Sequence, residues 1–186
     1  MDEIDFARIK LLVLDVDGVL TDGRIALGDL GGQGAGAKAV HVRDETGLKY
    51  WRRCGRKAAV ISGQNHAGVV RWAEALGLEA VRLNAKDKLP VYEEVLAELG
   101  VPAQRTAVMG DDLPDLPLLG RCGFPVAVAD AAGEVREAAA YVTRSAGGRG
   151  AVREVVELVL RRAGAWEGVL ARYRAGGAAG EGGQDR

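Results

Sequence analysis

Six aspartates fall in two short stretches: Asp15, Asp17 and Asp22 within "LDVDGVLTDG", and Asp111, Asp112 and Asp115 within "MGDDLPD". Each stretch follows a short apolar run, so the acids stand where a buried strand would end. Two carboxylates about 4 Å apart repel by roughly 4 kcal/mol at an effective dielectric near 20, so such a cluster needs a positive species. Two or three oxygen ligands plus water suit Mg²⁺, which readily partners phosphate. Ser62 and Lys88, each beside another apolar run, supply a hydroxyl and an ammonium. Together these residues suit phosphoryl transfer, which asks for positioning and charge neutralisation.

The roles divide by chemistry. Asp15 can attack phosphorus to give an aspartyl phosphate. Asp17, two residues on and on the same side of an extended chain, can protonate the leaving alcohol and then deprotonate water. Gly18 and Gly63 let the backbone turn and offer N–H groups to an anion. Ser62 and Lys88 can hold non-bridging oxygens and developing charge. Asp111 joins Asp15 and Asp17 as a metal ligand, with Asp115 and Asp112 orienting the ligands from behind. Any one of these signals has a plain structural reading, as a turn, a cap or a solvated charge. Their recurrence in order at successive strand ends argues for one site.

Positioning them requires strands that end on one edge. Apolar runs at 9–14, 57–61, 80–83, 106–109, 126–129 and 141–143 predict six strands, mostly continuous and therefore covered on both faces. Between them, helices are expected over 46–54 after an Asp44 cap, 67–76, 88–99 ended by Gly100, and 151–163. This alternation predicts an α/β doubly wound three-layer sandwich with a central parallel sheet, whose sites lie at the carboxyl ends of the strands. One segment breaks the rhythm: residues 24–43 hold two stretches of period-two alternation around "GDLGGQGAG", predicting a β-hairpin insertion. A lone hairpin is marginal in water, so its apolar face needs another element or subunit. The expected domain is 1–163, with 164–186 a Gly-rich tail.

The chain has 186 residues, enough for one domain, with 48% hydrophobic and 27% charged residues. A net charge of −1 gives no general attraction to nucleic acid or an anionic membrane. Cys54 and Cys122 lack metal-ligand spacing, and the first residues lack the apolar core of a signal peptide, so a cytoplasmic protein is expected.

"DVDGVLTDG" resembles the first motif of the haloacid dehalogenase-like phosphatases. "VRDETGL", "VMGDDLPDLP", "VAVADA" and "YVTRSAGGRGAVREV" narrow the resemblance to the 3-deoxy-D-manno-octulosonate 8-phosphate phosphatase family, over about residues 9 to 162. The resemblance implies Asp15 as nucleophile, Asp17 as acid/base and Mg²⁺ ligand through its carbonyl, Asp111 as ligand, and Ser62 and Lys88 as phosphate binders. It also implies a capless phosphatase of lipopolysaccharide precursor synthesis, whose hairpins assemble a homotetramer.

The chain departs from that family at three places. Ser62-Gly63-Gln64 stands where Thr-Gly-Arg is usual, Trp72 replaces a second arginine, and Glu45 replaces a glycine. Gln64 for arginine removes a cation that could pair with a sugar-acid carboxylate. "SAGGRGAVRE" offers a possible backbone nest for an anion, with Arg149 reaching a substrate carboxylate. Alternatives are a nonulosonate 9-phosphate phosphatase, a receiver-like phospho-acceptor, and an inactive regulatory paralogue. Receivers lack a second acid two residues after the acceptor, so Asp17 favours turnover.

Overall fold

The computed structural model describes residues 4–25 and 38–174. Six parallel strands, β1 (Leu11–Leu14), β2 (Lys57–Ile61), β3 (Ala80–Arg82), β4 (Thr106–Gly110), β5 (Phe124–Ala127) and β6 (Tyr141–Val142), form one sheet in the order β3-β2-β1-β4-β5-β6. The order reverses between β1 and β4, which opens a crevice beyond their carboxyl ends. Leu14 pairs with Val60 on one side and Met109 on the other. The chain after β1 therefore emerges between Ser62 and Gly110.

Helices cover both faces, as continuous apolar strands require. One layer holds α1 (Val42–Arg53), α2 (Ala67–Ala75), α6 (Ala151–Arg162) and α7 (Trp166–Arg174). The other holds α3 (Lys88–Leu99) and the short α4 (Leu116–Leu119) and α5 (Gly133–Ala138). Leu11 to Leu14, Ala58 to Ile61 and Ala107 to Met109 are fully buried between them. The doubly wound sandwich is as expected.

Several boundaries differ from the sequence reading, for identifiable reasons. β5 begins at Phe124 and includes Pro125, where 126–129 was expected. A proline is usually excluded from an inner strand; here its carbonyl still accepts from Ala140 N–H at 2.9 Å. α1 begins at Val42, four residues early, capped by His41, whose Nδ1 accepts from Arg43 N–H at 3.1 Å. Val42 is the first helical residue and 71% exposed, so its alternation with Val40 does not mark a strand. The remaining part of the expected hairpin, 26–37, lies outside the described residues. Beyond residue 163, α7 extends the packed domain, with Trp166 and Val169 buried and Trp166 edge-on to Tyr50 at 5.9 Å. The glycine-rich end from residue 175 onward also lies outside the described residues.

Asp44, expected to cap its own helix, caps another. It is 0% exposed within α1 and accepts from Gly150 N–H at 3.1 Å and Arg153 N–H at 2.7 Å, at the start of α6. Replacing it by alanine strands two part-buried donors. Asp44→Ala is therefore expected to cost about 2–3 kcal/mol of stability, read as a lower urea midpoint. An unchanged midpoint would contradict this account of the α1–α6 junction.

Candidate active site

Asp15 follows β1 directly, its N–H donating to Met109 carbonyl at 3.2 Å. Its side chain is only 8% exposed. Lys88, at the first turn of α3, reaches across the crevice and donates to Asp15 Oδ1 and to Asp115 Oδ1, both at 2.7 Å. Asp115 Oδ2 accepts from Asp111 N–H at 3.0 Å and Asp112 N–H at 3.4 Å. Both oxygens of Asp115 are thus committed to orienting its neighbours, whereas the Asp111 carboxylate is free to face the crevice. Carboxylate oxygens of Asp15, Asp111 and Asp115 all lie within 4.8 Å of one another.

One ammonium faces three carboxylates, and the imbalance shows in their protonation. Burial, opposed by Lys88 and reinforced by Asp115, raises Asp15 to about 6. Burial and then the charges of Asp15 and Asp115 raise Asp111 to about 8. Burial alone would lower Lys88, but Asp15 and Asp115 outweigh it and hold it above the ordinary lysine value. The cluster therefore lacks positive charge, and its hard oxygen donors fit a small divalent cation such as Mg²⁺.

This arrangement sets a sign for pH. Asp15 and Asp111 bind protons more tightly folded than unfolded, so metal-free stability falls as pH rises from about 4 toward 8. A cation must displace those protons, so apparent Mg²⁺ affinity is expected to rise with pH, by about tenfold per unit near pH 7 where chiefly Asp111 still holds its proton. Thermal unfolding across a Mg²⁺ titration at each pH checks both signs. A Mg²⁺ midpoint independent of pH would contradict them.

Glycines permit the close approach of the two acidic loops. Gly18 has φ +95°, and a Cβ there would lie 2.0 Å from Asp111 Oδ2. A Cβ on Gly110 would lie 2.4 Å from Asp115 Cβ. Behind Gly18 runs the loop 145–150. Gly148 N–H donates to Val19 carbonyl at 2.9 Å, and a Cβ on Gly147 would lie 1.6 Å from Gly18 carbonyl oxygen.

Most of the residues expected from sequence line one cleft of about 310 Å³: Asp15, Asp17, Ser62, Gly63, Gln64, Lys88, Asp111, Asp112 and Asp115. Ser62, buried at the end of β2, accepts from Gln64 N–H on its Oγ at 3.2 Å. Asp112 is exposed at the rim and caps the turn Leu113–Asp115. The Asp17 side chain stays outside the three-carboxylate cluster and pairs with Lys38.

Two expected features are not brought into this cleft. Arg149 lines a separate cleft of about 670 Å³, is 61% exposed and meets Asp22 Oδ2 at 3.4 Å. The glycine nest is already filled: Gly147 N–H donates to Asp130 at 2.9 Å, Gly148 to Val19, Arg149 to Ala146 and Gly150 to Asp44. The Gly148 amide braces the Gly18 loop, and all four amides are already taken.

Sequence reasoning missed Lys38, which bonds Asp17 Oδ1 and donates to Gln64 Oε1 at 3.2 Å. Only its place beside a glycine-rich run marks it in sequence, since both partners are distant along the chain.

Comparison with known proteins agrees with this geometry. The haloacid dehalogenase-like hydrolase family matches over residues 81–155. The 3-deoxy-D-manno-octulosonate 8-phosphate phosphatase of Yersinia pestis is 42% identical over 154 residues, covering 83% of this chain and 81% of that protein. A probable YrbI family phosphatase from Pseudomonas syringae pv. phaseolica superposes with a TM-score of 0.86 at 43% identity, covering 91% of this chain and 94% of the other. The Moraxella catarrhalis 3-deoxy-D-manno-octulosonate 8-phosphate phosphatase, solved with magnesium, phosphate and KDO, gives a TM-score of 0.85 at 35% identity, covering 90% and 95%. With its parallel sheet and acidic crevice, the chain belongs to the 3-deoxy-D-manno-octulosonate 8-phosphate phosphatase family of haloacid dehalogenase-like hydrolases.

Proposed function

We propose that the chain is a Mg²⁺-dependent phosphomonoesterase that hydrolyses 3-deoxy-D-manno-octulosonate 8-phosphate through an aspartyl phosphate. The observation that carries this is the buried Asp15 at the end of β1, aligned by Lys88 and clustered with Asp111. Lys88 holds one Asp15 oxygen, leaving the other to attack phosphorus. As the P–O bond to the sugar breaks, Asp17 gives its proton to the departing oxygen. Asp17 then takes a proton from water, whose oxygen attacks the phosphorus and releases Asp15 with inorganic phosphate. Lys88 and Ser62 steady the transferred group. Bound Mg²⁺, held by Asp15, Asp111 and the Asp17 carbonyl, supplies charge neutralisation at the phosphate oxygens.

A panel of sugar phosphates with Mg²⁺ tests the reading. Preferential release of phosphate from the eight-carbon ketoacid 8-phosphate is expected; preference for a nonulosonate 9-phosphate would overturn the substrate, and a flat panel the activity. Rapid turnover of acetyl phosphate is expected, and a stable phosphoprotein would favour a receiver instead.

A homotetramer and a cytoplasmic setting belong to the same proposal. Ile25 and Val42 are exposed apolar residues, which supports subunit contact at those two positions. Free Cys54 and Cys122 suit a reducing compartment. No helix among the described residues is long and apolar enough to cross a membrane. A monomer by light scattering at micromolar concentration would remove the assembly.

A further inference from the structure

Beside the catalytic cleft lies a second pocket of about 250 Å³, between the chain after β1, the start of α1 and α2. Its apolar walls include Val16, Leu20, Val40 and Val69, and its polar or aromatic groups are Thr21, Lys38, Glu45, His66 and Trp72. The two cavities meet at one side chain. Lys38 lines the second pocket, yet its ammonium bonds Asp17 and Gln64, which line the first. We propose that this pocket receives the leaving group of the substrate, that Lys38 binds the carboxylate of a sugar acid there, and that Trp72 lies against the sugar's C–H face.

Three observations carry the assignment, which rests on the phosphatase reading above. First, the group that protonates a departing oxygen must face the leaving group, and Lys38 joins Asp17 to this pocket. Second, an ammonium has three donors, and Asp17 and Gln64 take two, leaving one for a ligand. The Lys38 side chain is only 9% exposed, so little water competes for that donor. Third, the opposite wall is preset. Trp72 Nε1 donates to Glu45 Oε2 at 3.3 Å, and Glu45 Oε1 is paired to Lys49 at 2.9 Å. That fixes the indole as a platform among aliphatic side chains, where an amphipathic sugar ring can rest. The carboxylate recognition that Gln64 cannot supply is thereby met by the lysine that Gln64 holds.

The test compares two substrates in wild type, Lys38→Met and Lys38→Arg: the ketoacid 8-phosphate, and glucose 6-phosphate, an ester of an equally poor primary-alcohol leaving group that has no carboxylate. Lys38→Met is expected to lower kcat/KM for the sugar-acid ester at least tenfold more than for glucose 6-phosphate, with Lys38→Arg restoring part of the difference. An equal fall on both substrates would overturn the proposal and leave Lys38 as a support of Asp17. Failure of wild type to prefer the sugar-acid ester would instead overturn the function on which the proposal rests. A binding measurement gives a second readout: the free sugar acid should quench tryptophan fluorescence in wild type and lose most of that quench in Trp72→Phe. Undiminished quenching in that variant would also overturn the assignment.

Discussion

Asp15→Asn is expected to reduce kcat by at least about 10⁴-fold, more than about 5 kcal/mol of transition-state stabilisation. An amide oxygen still accepts from Lys88, so the variant keeps the ion-bound geometry behind it and should fold. What it loses is the anionic nucleophile, and with it the covalent step. It also removes one carboxylate from a cluster crowded with three, which relieves repulsion on Asp111. The metal-free variant is therefore expected to be at least as stable as wild type while being inert. Single-turnover phosphate release and thermal unfolding measured together check this; near-normal turnover would refute the nucleophile.

Gly147→Ala is expected to have the largest effect among substitutions outside the cleft. The new methyl would sit 1.6 Å from Gly18 carbonyl oxygen and 2.5 Å from its carbonyl carbon, both backbone atoms with no rotamer to yield. Overpacking of this kind costs about 3 kcal/mol or more. The loop must retreat, and the Gly18 turn that carries Asp17 and abuts Asp111 goes with it. A lower urea midpoint together with weaker Mg²⁺ binding is expected. Gly168→Ala is the control: no atom of another element lies within 4 Å of its added methyl, and it sits in the first turn of α7. It should leave Mg²⁺ binding alone and stabilise slightly, by about 0.5–1 kcal/mol. A Gly147→Ala protein indistinguishable from that control would contradict the bracing role of the loop.

The parallel sheet was legible because unbroken runs such as "LLVL" have no other comfortable home than a strand covered on both faces. The acids at the strand ends were legible for the same reason, since a charge directly after a buried run must stand at a sheet edge. Long-range partnerships were not legible. Asp44 looks like a local cap, yet its partners are more than a hundred residues away, at Gly150 and Arg153. The glycines of "GGRG" signal a tight loop, but whether the amides face an anion or a neighbouring carbonyl depends on what packs behind them. α7 escaped notice because its buried side is short, with Trp166 and Val169 as its only buried residues among polar neighbours.

Asp44 also ties catalysis to a place that no substrate touches. From Lys38, at the join of the two pockets, the chain needs only six more residues to reach that carboxylate. From there two hydrogen bonds lead to the start of α6, and its preceding loop presses on Gly18. Damage at Asp44 should therefore surface as poorer turnover in the molecules that still fold, so a genetic screen for lost activity would recover lesions in a fully sheltered residue alongside those in the cleft itself.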